Sequence, residues 1–169
     1  MRTARGRALA AAAALALPLA GCATLWRMGL RPPDGGRRCA PASVDASALP
    51  DGLRLRDQVR VRAEGVDFGA TVVTEKQGDA LVSVAFDGFG GKLFAAVQRG
   101  GRVEIERAFG RRLPWPPANL LRDVQLARLG AAPPRGVTVE HGSAGDGSVR
   151  TVVRDLPCGS ETTLVSAAW

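Results

Sequence analysis

One histidine stands among the 169 residues, and neither the three cysteines nor the carboxylates fall at metal-ligand spacing, so a metal centre has no donor set to rest on. Aromatic residues make up 5% of the chain, which excludes the aromatic platform that single-stranded nucleic acid stacks upon. There is no Gly-x-Ser-x-Gly elbow, no phosphate-binding loop and no paired-carboxylate signature. His141 lies near Ser143 and Ser148, but in a glycine-rich turn that cannot hold a base and a nucleophile in register. Gly88-x-Gly90-Gly91 precedes a strand instead of a helix, so no helix amino terminus faces a phosphate. These absences predict a protein that is not an enzyme and needs no metal or nucleic-acid partner. Long apolar runs are also missing. The longest, Ala8 to Ala20, is too short to cross a hydrocarbon core of roughly 30 Å.

What is present begins at the amino terminus. Arg2, Arg5 and Arg7, with no acidic residue, precede the Ala/Leu run, which ends in Leu19-Ala20-Gly21-Cys22. A basic start, an apolar stretch and small residues form the plan of a secretory signal. The last four residues resemble the lipobox of bacterial lipoproteins. That resemblance implies a signal peptide over 1–21, diacylglycerol on the Cys22 thiol, and an acyl chain such as palmitate on the new amine. Ala23 after the cysteine implies transfer to the outer membrane, with the protein anchored by lipid and facing the periplasm. An ordinary secretory signal with a coincidental cysteine and an alanine-rich buried helix are the competing readings. Two or three acyl chains, at roughly 0.8 kcal/mol per buried methylene, hold a protein on a bilayer effectively for good.

Removal of the signal leaves 148 residues, enough for one domain and a tether. Three arginines and no acid leave with it, so the formal charge falls from +7 to +4. With only Lys76 and Lys92 as lysines, the basicity is one of arginine. Residues 22–52 carry Pro32-Pro33, Gly35-Gly36, Pro41 and Pro50 without a sustained period, and read as a lipidated, flexible tether. Cys39 and Cys158 remain once Cys22 carries lipid. In an oxidising compartment the pair is most simply a disulfide, which would pin the second half of the tether to the domain, with two free thiols as the alternative.

From Leu53 the pattern changes. Leu53, Leu55, Val59, Val61 and Ala63 occupy odd positions, while Arg54, Arg56, Gln58, Arg60 and Arg62 occupy even ones, the period of a half-buried strand. Runs at 68–74, 80–86, 93–98 and 102–108, separated by short Gly-rich turns, extend this to a five-stranded antiparallel meander. Pro116-Pro117 then opens a helix at about 117–129, with Leu120, Leu121, Val124, Ala127 and Leu129 as its apolar stripe and Arg122, Asp123, Gln125 and Arg128 on the other side, apart from Leu126. Segments 136–141, 148–155 and 162–168 supply three more strands. The predicted class is mainly β (α+β): a curved antiparallel sheet or half-open β-barrel of about eight strands in one domain, 53–169, with one main helix across the concave face.

Two surface features remain. Arg54, Arg56, Arg60 and Arg62 form a stripe suited to anionic headgroups, unless neighbouring acids neutralise it. Phe89 stands between glycines at a hairpin tip, either entering a membrane or partner or folded back over its own hairpin.

Leu81-Val-Ser-Val-Ala-Phe-Asp-Gly-Phe-Gly-Gly-Lys-Leu-Phe, then Leu113-Pro114 and Asn119-Leu120-Leu121-Arg-Asp-Val-Gln-Leu-Ala127, resembles a family of small bacterial outer-membrane lipoproteins of uncharacterised function, often encoded beside aryl-polyene-type biosynthesis clusters. Over residues 53–135 the layout is more distantly similar to the carrier and receptor of lipoprotein sorting. The resemblance implies a half-barrel whose concavity holds acyl chains, lined here by Val59, Val61, Val72, Val84, Leu93, Val97, Leu121 and Val124. It also places Phe89 at the protruding loop that delivers cargo to the membrane. The expected function is therefore a periplasmic lipoprotein that binds or transfers an amphiphile, whether lipid, acyl chain or lipoprotein, at the outer-membrane bilayer. The alternative is a structural adaptor for another cell-envelope protein.

Overall fold

A computed structural model describes residues 38–107 and 113–166. The signal, Cys22 and the first part of the tether lie outside the described residues. Eight strands follow the alternating pattern: β1 (Arg54–Ala63), β2 (Val66–Gln77), β3 (Ala80–Phe86), β4 (Lys92–Arg99), β5 (Arg102–Arg107), β6 (Val137–Ser143), β7 (Val149–Asp155) and β8 (Ser160–Ser166). Among the described residues one α-helix, α1 (Pro117–Arg128), lies between β5 and β6. All strands join one open antiparallel sheet in the order β5-β4-β3-β2-β1-β8-β7-β6. Thus β5 and β6 are the two edges, although they are consecutive in sequence. The chain must travel from one edge to the other, and α1 makes contact with β4, β7 and β8 along that route.

The helix begins with Pro117 in its first turn, where a missing N–H costs nothing, and stops at Gly130, whose φ of +71° suits the left-handed residue after a C-cap. Ten of its twelve residues are buried, including Asn119, Arg122, Asp123 and Gln125. This corrects the reading of Arg122, Asp123 and Gln125 as a solvent-facing side. The apolar stripe packs on the sheet, and residues 38–49 run along the helix as a strap. Cys39 N–H donates to Asn119 Oδ1 at 3.1 Å, Arg122 Nη1 to the Ala40 carbonyl at 3.3 Å, and Val44 N–H to Gln125 Oε1 at 2.8 Å. Gln98 Nε2 closes a ring by donating to the Val44 carbonyl (2.7 Å) while its own Oε1 accepts from Gln125 Nε2 (2.7 Å). A short 3-10 helix, Ala46–Ala48, ends the strap, with Ala46 wholly buried. Residues 38–49, the second half of the segment read as tether, are held against the domain, and a Cys39–Cys158 disulfide with Cα atoms 5.4 Å apart fixes their start.

Register decides which side chains meet the helix. Asp57, Val59 and Val61 on β1 stand opposite Val72, Ala70 and Phe68 on β2, and Val72 stands opposite Ala85 on β3. Val59, Val61, Val72, Leu121 and Val124 accordingly join one buried cluster. Leu93 belongs to it for a different reason. The pairing shifts between Ala85↔Phe94 and Phe86↔Lys92, so a β-bulge lets both Leu93 and Phe94 bury themselves. Val84 and Val97 do not belong. Val84 pairs with Val73, and Val97 with Val82, on the face away from the helix, where all four are half-buried. Their assignment to the concave lining is wrong because period-two alternation sends Ala85 and Ala96 inward in their place.

Candidate functional site

The β3–β4 hairpin builds its tip around one carboxylate. Asp87 Oδ1 accepts from Phe89 N–H (3.0 Å) and Gly91 N–H (2.8 Å), while the backbone closes through Asp87 N–H to the Gly91 carbonyl and Gly90 N–H to the Asp87 carbonyl. Gly90 has φ +80°, a conformation that side chains oppose, and a Cβ on Gly91 would lie 2.9 Å from Asp87 Oδ2. The loop is therefore ordered by its own hydrogen bonds, and Phe89 stands clear of it at 101% relative accessibility. Folding back over the hairpin would bury the ring, and the structure does not do so.

Beside the hairpin, on the outer face of the sheet, is a cleft of about 480 Å³ lined by Arg56, Gln58, Thr71, Val73, Phe86, Asp87, Gly88 and Gly90. Below it the half-buried Val73, Val82, Val84 and Val97 form an apolar patch across β2, β3 and β4. The arginine stripe flanks this patch, but its members are not equivalent. Arg54 pairs with Glu75 at 2.8 Å, and Arg60 grips Asp67 through Nε (2.9 Å) and Nη2 (2.6 Å). The guanidinium beside Asp67 holds its carboxyl below the ordinary aspartate range, with Arg62 adding to the effect by charge alone. Arg56 has no hydrogen bond or ion pair among the described residues.

The inner face offers less room. The aliphatic residues expected to line a cavity are packed against Leu120, Leu121, Val124 and Ala127 of α1 in one cluster. Polar groups are buried there too. Arg122 donates to Asp123 Oδ1 (2.9 and 2.5 Å) and Asp155 Oδ2 (2.5 Å), and Asp123 Oδ2 accepts from Thr162 (2.6 Å). Toward the β6 edge, Arg128 holds the buried Asp57 (2.8 Å) and Thr151 Oγ1 (3.0 Å), and Thr151 meets His141 Nδ1 at 3.1 Å. His141 thus engages a threonine, while Ser143 and Ser148 hydroxyls donate to Ala144 and Asp146. Among the described residues, Cys39, Asp155 and Cys158 have metal-compatible spacing, and the disulfide consumes both sulfurs.

Burial pushes the Asp57 carboxyl above its ordinary value of 3.8, against the hydrogen bond and charge of Arg128, which pull it down. Because the folded value is the higher, the contribution to stability is fullest below pH about 3.8 and is lost as pH rises through the folded value. Arg128→Met removes both lowering effects, so Asp57 should titrate at still higher pH. Carboxyl NMR titration measures this, and an unmoved midpoint would show that Arg128 does not govern the group.

Residues 54–163, from the start of β1 into β8, match the model of a family described as Protein of unknown function (DUF3261). No curated protein matches the chain.

Proposed function

We propose, for a chain that belongs to the DUF3261 family and whose role must therefore be argued from its own residues, that it is a lipid-anchored, non-enzymatic lipoprotein of the outer membrane that binds or hands over an amphiphile on the periplasmic side. In this reading Cys22 carries the diacylglycerol and acyl modification, and the bilayer is the first partner. The observation that carries the proposal is Phe89, a fully exposed aromatic ring at the tip of a hairpin ordered by Asp87. A rigid apolar tip meets an acyl chain or bilayer without the entropy loss that a mobile loop would incur. Phe86 and Val73 continue the apolar surface into the neighbouring cleft. The amphiphile is thus assigned to the hairpin side of the sheet, because the concave side is filled by α1. The single open sheet with one helix across it is compatible with the half-barrel of the lipoprotein-sorting carrier and receptor. The filled inner face also favours a second reading, a structural adaptor for another envelope protein, with the valine patch as its contact.

The full chain, exported and purified in a neutral detergent, separates these readings by native mass spectrometry with lipid extraction. A stoichiometric amphiphile supports the first. A clean mass, unchanged after incubation with envelope lipids, overturns it and leaves the adaptor. Phe89→Glu should cut amphiphile binding or transfer severalfold while moving stability by less than about 0.5 kcal/mol, since the ring touches little in the folded domain.

A further inference from the structure

Resting on the amphiphile reading above, the arrangement around Arg56 identifies what kind of headgroup the outer cleft takes. The stripe of arginines is uniform in sequence and uneven in structure: the guanidinium groups of Arg54 and Arg60 are engaged by Glu75 and Asp67, whereas those of Arg56 and Arg62 lack a hydrogen-bonded or ionic partner among the described residues, and of these two only Arg56 borders the cleft beside the hairpin. Arg56 lines the cleft together with Gln58, Thr71 and Gly88. Thr71 donates its hydroxyl to Gln58 Oε1 at 3.2 Å, which orients the amide and leaves its NH₂ to donate. The Gly88 N–H has no acceptor among the described residues. A guanidinium, an amide NH₂ and a backbone N–H therefore line one cleft, and all three can only donate. The carboxylate there, Asp87, already spends Oδ1 on two loop N–H groups. Val73 and Phe86 supply apolar surface beside these donors, and Phe89 extends it outward.

One cationic donor and two neutral ones next to apolar carbon match a molecule whose anionic group adjoins a hydrocarbon chain. We propose that this cleft seats the phosphate headgroup of an anionic membrane phospholipid, with Arg56 as the residue that sets its charge preference and the chain directed along Phe86 toward Phe89.

The test offers the full chain, in a neutral detergent, equimolar phosphatidylglycerol and phosphatidylcholine, and counts each bound lipid by native mass spectrometry. Phosphatidylglycerol should be retained in preference by about tenfold, the scale of a charge-assisted bidentate contact. Arg56→Gln should bring the ratio close to one, and Arg54→Gln, whose guanidinium is engaged by Glu75, should leave it unchanged. Equal retention by the unaltered protein overturns the headgroup assignment while amphiphile binding itself stands. A preference that survives Arg56→Gln overturns the assignment to this cleft. Retention of neither lipid overturns both this proposal and the functional reading beneath it.

Discussion

Arg122→Ala is expected to cost about 3–5 kcal/mol of folding stability, a large part of what a domain of this size possesses. The guanidinium is 3% exposed and lies between Asp123 and Asp155, themselves 0% and 2% exposed. Assembling such a cluster is a poor source of stability, because desolvation offsets most of the attraction. Breaking it is another matter. The substitution leaves two carboxylates buried near each other with, among the described residues, Thr162 and the Cys158 N–H as their remaining hydrogen-bond donors. It also deprives the Ala40 carbonyl of its donor, so the strap loosens with the helix. Urea denaturation checks the figure. A loss below about 1 kcal/mol would mean that water reaches the carboxylates and that the cluster is less enclosed than the geometry indicates.

Removing the disulfide by Cys39→Ser with Cys158→Ser should have an effect of similar size. The bridge joins residues 119 apart, and the chain-entropy relation gives roughly 4–5 kcal/mol for a loop of that length. The folded protein should respond locally. The strap's backbone is held by side-chain amides and one guanidinium, so amide exchange should rise at residues 39–49 while the β1–β4 core stays protected. Uniform deprotection would show that the strap and sheet open as one unit. The two losses should not add, since Asp155 accepts from both Arg122 Nη1 and the Cys158 N–H.

The sheet was legible because its central strands alternate. In β1, Val59 and Val61 are buried and Arg56, Arg60 and Arg62 exposed, as the odd–even pattern dictates. The helix was legible from Pro117 and Gly130, which mark its ends by backbone chemistry alone. Faces were harder. Val82, Val84 and Val97 look like core by composition, and only pairing through Ala85 and Ala96 shows that they point the other way. The polar side of α1 misled for a related reason. Asn119, Arg122 and Gln125 have the spacing of a solvated surface, and nothing local announces that a segment some 80 residues earlier will cover them. The best available signal was Cys39, since a cysteine bridged to 158 would pin the supposed tether against the domain. Among the candidate site residues, the glycine neighbours of Phe89 put it at a hairpin tip but left open whether its ring folds back, which the geometry of the tip decides. The singling out of Arg56 required the partners of Arg54 and Arg60, and cross-strand partners depend on register.

The strap and its bridge also decide how tension enters the molecule. If Cys22 is anchored to a bilayer as proposed, a pull on the chain would arrive at Cys39 and cross sulfur to sulfur into the turn between β7 and β8. The strap beyond Cys39 is bypassed, so its hydrogen bonds are not peeled one by one. Force is met instead by strands hydrogen-bonded on both sides, β7 between β6 and β8, and β8 between β7 and β1. The same bond sets the length of the leash. Seventeen residues from Cys22 to Cys39 reach about 55 Å at full extension, whereas the path to β1 without bridge and strap would reach about 105 Å. One covalent bond thus halves the longest reach of chain between residue 22 and its point of attachment to the domain.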